Sequence, residues 1–203
     1  MTTLIITAVF TIAYLAVTAW LCRGLKLNAR NLAMGGLACA LTLILSAIKI
    51  PLPTGAAITC GSWIPLMLLA LVYDSRLAFV SGWVCGILAM VLLPAWQPVH
   101  WAQIFVEHLV AFSCLGYAGV FGSDKKWKVL AGGLLAILLR FVGQVLSGVI
   151  FFSQNAWDGW GAWGYSLTYH LSSKIPEGVL SLAILMVLPL SALKKAAKGA
   201  ART

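Results

Sequence analysis

The sequence predicts an all-α integral membrane protein, and three observations carry that expectation. Of 203 residues, 62% are hydrophobic and only 9% charged, whereas soluble domains carry about 25% charged and roughly 45–50% apolar residues. Mean hydropathy is +0.98. The charges that exist fall between long apolar runs rather than along one helical face. Such a chain cannot cover itself with a polar surface. At about 20 apolar residues per membrane crossing, it makes one multi-pass domain.

The elements follow in order. Residues 3–22 form a first apolar run, closed by Arg23, Lys26 and Arg30. A cleaved signal peptide places its basic residues first and ends in a small-residue cleavage site. Here the charge comes last, so an uncleaved helix is expected. Asn28 and Asn31 are candidate caps for a second run over 31–50, which ends where Pro51 and Pro53 bar further helix. Residues 54–60 are small and uncharged and read as a loop. Two short runs, 61–73 and 77–93, are separated by Tyr73-Asp74-Ser75-Arg76. Residues 94–99 carry two prolines and read as a loop. A fifth run spans about 101–122 and contains Glu107 and His108, and a sixth spans about 129–152 with Arg140 and Gln144. A Trp- and Gly-rich stretch, 153–164, precedes a last run over 165–192, and a small, basic tail closes the chain.

One topology accounts for the basic residues. With the tail in the cytoplasm, the cytoplasmic segments are 23–30, 74–76, 123–128 and 194–203, and they hold 11 of the 14 lysines and arginines. The exceptions are Lys49, Arg140 and Lys174, inside or at the end of apolar runs. The positive-inside rule therefore predicts seven crossings with the C-terminus in the cytoplasm. The run at 61–73 is short for a bilayer of ~30 Å and is expected to be tilted or partly buried. The same placement of charge argues against a nucleic-acid partner despite the net +9, since no basic stripe or motif is present. Five scattered cysteines form no CxxC pair and read as small apolar residues, so neither metal nor cofactor is expected.

An ionisable group within a membrane run is a functional candidate by default. Counting 1.5 Å per residue from the run ends, Glu107 lies about 9–10 Å, Gln144 about 12 Å and His170 roughly 8 Å below the same, outer boundary. Three polar groups on three helices thus share one shallow layer, beneath a loop bearing Trp157, Trp160 and Trp163 and close to Tyr165. A carboxylate with aromatic walls suits a cationic heteroaromatic ligand through charge pairing and cation–π attraction. The tryptophans alone also fit an interfacial aromatic belt. Lys174 and Glu177 stand three apart, a spacing that lets them pair, and with Arg140 they read as structural. Gly36 and Ala40 form a small-xxx-small pair in the second run, which permits close helix packing in lipid.

Several short matches, in order, carry a resemblance to a known family. They are Leu27-Asn28-Ala29-Arg30-Asn31-Leu32, Gly36 with Ala40, Ile104-Phe105-Val106-Glu107, Ala111-Phe112, and Gly116-Tyr117-Ala118-Gly119. Arg140-Phe141, Ser147-Gly148-Val149-Ile150-Phe151, Ala156-Trp157, Tyr165-Ser166 and Pro176-Glu177 complete the set. Over about 28–192 the chain resembles the substrate-binding S components of energy-coupling-factor vitamin transporters, most closely their thiamine-specific branch. The resemblance implies a six-helix S-component bundle at 28–203, preceded at 1–27 by one extra N-terminal transmembrane helix. It implies a vitamin ligand, thiamine or a related compound, and no enzymatic activity. It implies a bacterial plasma-membrane location and an energy-coupling module of one transmembrane scaffold and two ATPases. Gly36 and Ala40 would dock the scaffold. By position, Glu107 matches the family's ligand-facing glutamate and Tyr165 its tyrosine. Gln144 stands where the branch has a histidine, His170 where it has an asparagine, and Phe152 where it has a stacking tryptophan. The first-loop tryptophan is absent from 54–60, with Trp63 nearby.

Two other classes fit the residues less well. A stand-alone transporter commonly shows an internal repeat, which is not visible here. An intramembrane enzyme needs a nucleophile–base pair or clustered metal ligands, and His100, Glu107 and His108 are spaced too loosely for a motif such as HExxH. No phosphate-binding loop of the GxxxxGK[ST] type occurs, as expected for a subunit that leaves ATP hydrolysis to partners.

Overall fold

A computed structural model of the protein describes residues 2–93 and 97–199. Part of the expected 94–99 loop, including Pro94, and the end of the tail, including Arg202, lie outside the described residues. The helices are α1 (Thr2–Leu21), α2 (Ala29–Ala47), α3 (Ile64–Val72) and α4 (Ser75–Leu92), then α5 (Ile104–Gly119), α6 (Lys126–Phe151), α7 (Ala162–Val187) and α8 (Leu190–Gly199). Leucines, isoleucines and valines of α1, α2, α6 and α7 stand exposed around the bundle, for example Ile5, Ile12, Leu37, Ile44, Leu134, Leu138 and Val179. Only a lipid solvent makes such a surface stable, which fits a multi-pass membrane protein.

Local chemistry explains the helix starts. The Asn28 side chain accepts from Asn31 N at 2.8 Å and caps α2, as expected. Asp74 caps α4, accepting from Arg76 N at 2.8 Å, and both of its oxygens receive the Arg76 guanidinium. Partial burial pushes the Asp74 carboxyl up, but these Arg76 bonds outweigh it and hold the group below its ordinary value.

Three expectations change in the folded chain. The loop after α2 contains an antiparallel ribbon of β1 (Lys49–Pro51) and β2 (Ala57–Thr59), with Ile50 opposite Ile58. The last run is divided: α7 ends before Pro189, and α8 departs from it at 74°. Among the described residues, four helices are long and apolar enough to cross a bilayer, or five if α7 and α8 count as one broken span. This is fewer than seven full-length crossings. The reason is α3, nine residues long, and α5, an irregular segment. In α5 a wide π-helical turn (Ile104–Leu109) gives way to an α-helical turn (Val110–Ser113) and a tight 3₁₀ stretch (Cys114–Gly119). Both are enclosed by protein. Leu66, Met67, Val110, Ala111 and Leu115 are wholly buried, and short or irregular backbone is tolerated at membrane depth where neighbours surround it.

Close approach of α4 to α5 rests on two glycines. A Cβ on Gly82 would stand 2.4 Å from Ser113 Cα, and one on Gly86 would stand 2.4 Å from the His108 carbonyl oxygen. Gly82-x-x-x-Gly86 is the small-residue pattern of packed membrane helices.

The N-terminal helix α1 joins the bundle through a polar stripe. Thr7, Thr11, Tyr14 and Thr18 recur every three or four residues and are all buried. Tyr14 shares a 2.7 Å hydrogen bond with Ser113 of α5, and the Thr18 hydroxyl lies 3.4 Å from that of Tyr117. Tyr14→Phe is expected to lower stability by about 1 kcal/mol, the scale of an interhelical hydrogen bond in a membrane. Thermal unfolding in detergent measures it, and an unchanged midpoint would mean that α1 is held by apolar packing alone.

Candidate functional site

α2, α4 and α6 end, and α5 and α7 begin, at one end of the bundle. The other end carries the basic connections at Arg23, Lys26, Arg76 and Lys125. At the first end lies a cavity of about 170 Å³ lined by Lys49, Ala57, Thr59, Gln97, Gln103, Glu107, His108, Phe152, Tyr169, His170 and Lys174. Larger depressions occur elsewhere on the bundle, but their linings are almost wholly apolar.

Each polar group is aimed by local structure. The π-helical turn of α5 carries both Glu107 and His108, and such wide turns are frequent at functional sites. Gln103, one turn earlier, donates to Glu107 Oε2 at 2.5 Å, and Ser147 of α6 donates to the same oxygen at 2.8 Å. The carboxylate is thereby fixed by two neutral donors. Gly148 lets α7 approach α6 at this level: a Cβ there would stand 2.3 Å from Ser166 Oγ and 3.1 Å from His170 Nε2. Ser166 donates to Val145 O at 2.8 Å and ties the two helices together.

The aromatic side is a relay rather than one wall. Trp157 meets Tyr165 edge-on with ring centroids 5.0 Å apart, Tyr165 contacts Tyr169 at 5.6 Å, and Tyr169 meets His170 at 5.2 Å. Tyr169, not Tyr165, reaches the cavity, one helical turn deeper on the same face of α7.

Of the residues singled out from sequence, Glu107, Phe152 and His170 come together on the cavity. Trp157 and Tyr165 support it from behind. Trp160 and Trp163 are each 47% exposed, as belt residues are. Gln144 is buried, and its side-chain oxygen has no hydrogen-bond partner among the described residues, but it does not line the cavity. Trp63 is 1% exposed and lies in the core instead, where the Arg140 guanidinium sits 4.6 Å above its ring and 5.1 Å from that of Phe112. Arg140 also donates to the Ala111 carbonyl. Arg140 thus rests on two aromatic faces and a backbone carbonyl inside the bundle.

Glu177 and Lys174 depart from the expected pair. Glu177 accepts hydrogen bonds from the Thr59 and Ser62 hydroxyls, the latter at 2.9 Å. Among the described residues no ion pair joins Lys174 to a carboxylate. The connection from β2 to α3 supplies hydroxyls that satisfy Glu177, and Lys174 lines the cavity. Sequence reasoning missed Lys174, Lys49, Gln103 and Tyr169 as site residues. Spacing carried a signal for three of them: Gln103 is four before Glu107, Lys174 four after His170, and Tyr169 four after Tyr165. No group of His, Cys, Asp or Glu among the described residues could hold a metal ion.

The small residues Gly36 and Ala40 face a shallow apolar groove between α2 and α4, with Gly35, Cys39, Ser81 and Val84.

Comparisons with known proteins of three kinds point the same way. The chain is 27% identical over 163 residues to the thiamine transporter ThiT of Bacillus subtilis (strain 168), covering 73% of this chain and 83% of that protein. Its fold matches a solved structure of ThiT from Listeria monocytogenes with a TM-score of 0.70 at 22% identity, over 83% of this chain and 95% of the other. At that identity the structural likeness speaks for the fold alone. The model of the family described as thiamine transporter protein matches residues 32–197, which runs from the first turn of α2 into α8 and takes in all the cavity-lining residues. On that span of sequence the chain belongs to the thiamine transporter protein family.

Proposed function

We propose that the protein is the high-affinity substrate-binding membrane subunit of an ATP-driven energy-coupling-factor vitamin importer, with thiamine or a related heteroaromatic compound as ligand. The observation that carries this reading is the polar cavity built around Glu107 in a member of this family. A carboxylate pre-set by Gln103 and Ser147, with Phe152, Tyr169 and His170 beside it, can orient a nitrogen heterocycle and stack on its ring. The basic residues gather at the far end, so the positive-inside rule puts the cavity at the outer surface and the C-terminus in the cytoplasm.

Residues 28–203 form the binding domain in this reading, and residues 1–27 an added helix. The groove at Gly36 and Ala40 offers small side chains to a helix of the transmembrane scaffold, with two ATPases beneath it. Transport energy comes from those partners, and the chain itself does no chemistry.

The test is titration of the detergent-purified protein with thiamine, followed by quenching of tryptophan fluorescence. Trp157 in the aromatic relay is the expected reporter. Saturable quenching at submicromolar thiamine supports the reading. A folded sample that thiamine does not quench and that gives no calorimetric heat rejects thiamine as the ligand, and the same result across pyrimidines and other heteroaromatic vitamins overturns the reading.

A further inference from the structure

At the end of the bundle opposite the cavity, α8 turns away from α7 at 74°. Leu190, Leu193 and Ala197 recur every three or four residues and so share one face. That face packs on α3, with Leu190 buried and Leu193 half-buried against the core. At about 3.6 residues per turn, Lys195 stands on the opposite face, where it is exposed, and Lys194 on the flank. A helix with leucines on one side and lysines on the other, set across a membrane helix, has the build of an interfacial helix. Beside it lies an apolar groove of about 330 Å³, lined among others by Leu37 and Leu41 of α2, Leu68 and Val72 of α3, and Leu193 and Ala196 of α8. Leu37 and Leu41 are exposed, so the groove opens toward lipid. It shares no lining residue with the groove at Gly36 and Ala40. A cation stands at its mouth: the Arg30 guanidinium donates to the Ala197 carbonyl and lies 5.6 Å from the centre of the Tyr73 ring, and both of those residues line the groove. The acidic side chains at this end have partners elsewhere, Asp74 in Arg76 at 2.8 Å and Asp124 in Lys128 at 2.9 Å.

We propose that this groove and α8 form a binding site for an anionic phospholipid. One acyl chain lies along α2 and α3, Arg30 and Lys194 receive the phosphate at the mouth, and Lys195 adds attraction from the outer face of α8. A phospholipid matches the site at both ends: the groove wall offers a hydrocarbon chain apolar contact, and the guanidinium keeps further N–H donors for a phosphate beyond the one given to Ala197. Lysines close to an anionic membrane surface are attracted to it, and the attraction grows with each one. A lipid that binds only the folded bundle stabilises it by mass action. The site lies apart from the vitamin cavity, and the proposal goes beyond the reading of the chain as a vitamin-binding subunit.

The experiment is thermal unfolding of the full chain, purified in a neutral detergent, with phosphatidylglycerol or phosphatidylcholine of the same acyl chains added at equal amounts. The expected midpoint is higher in phosphatidylglycerol by at least about 3 °C. That difference should vanish in the double variant Lys194→Gln, Lys195→Gln. It should persist in Lys125→Gln, Lys126→Gln, which removes the same charge from a different connection at this end. Ala196→Trp, which fills the groove, should reduce it as well. Equal midpoints in the two lipids overturn the proposal and leave the groove to a protein partner. Equal loss in the two lysine variants also overturns it, because the preference then belongs to the net charge and not to this site. Inorganic phosphate is the last arm: a shift from it as large as that from the lipid overturns the phospholipid as occupant. The lysine variants decide the matter even where Ala196→Trp does not fold.

Discussion

Glu107→Gln is expected to weaken binding of a thiamine-type ligand by roughly 10- to 100-fold, the scale of one hydrogen bond to a charged group. The substitution keeps the shape of the side chain and removes its charge. Gln103 and Ser147 both donate to Glu107 Oε2. Both bonds meet one oxygen, so a glutamine oxygen in its place can accept both, and the substitution reads the charge. Calorimetry on purified protein measures the loss, and thermal unfolding in the same detergent separates it from misfolding. A variant that unfolds as the wild type does and binds with undiminished affinity would show that this carboxylate does not touch the ligand.

The second large effect is on the scaffold. Gly86→Val is expected to lower stability by more than about 3 kcal/mol, beyond the ordinary range for an overpacked side chain. The atom in the way is a backbone carbonyl, that of His108, which has no rotamer to change. The helices α4 and α5 would have to separate, and the π-helical turn holding Glu107 would move with them. At 2–4 °C per kcal/mol for a domain of this size, the unfolding midpoint should fall by about 10 °C. Gly36→Ala is the control, because no atom lies within 4 Å of a Cβ placed there. Equal midpoints for the two variants would mean that the α4–α5 contact is looser than its geometry.

How far the site was legible depended on what each residue answers to. Glu107 and His170 could be found because a charged or polar group inside an apolar run stands out against its neighbours. Lys174 stood out equally, but an acidic residue three positions away offered a local partner. Only the folded chain brings Thr59 and Ser62 to Glu177 across more than 100 positions of sequence. Trp63 and Tyr165 were named by their places in the family pattern. Burial puts the first beneath Arg140 and the second behind Tyr169. Gln103 and Tyr169 lay one helical turn from residues already singled out, and a consistent reading along each helix face would have found them.

The sequence by itself determined the solvent, the order of the helical segments and the end at which the basic residues gather. Those properties depend on composition and on the sign of charge at each connection, which are local quantities. The tertiary structure decided that α3 and α5 need not cross as full-length regular helices, since burial among neighbours relieves a short or irregular segment of facing lipid. It also decided which intramembrane charges find partners inside the protein. Glu177 and Arg140 do, through hydroxyls, a carbonyl and aromatic faces. Among the described residues Lys174 lines the cavity without a carboxylate in ion-pair contact, because pairing is a matter of distance in the folded bundle and not of spacing along the chain.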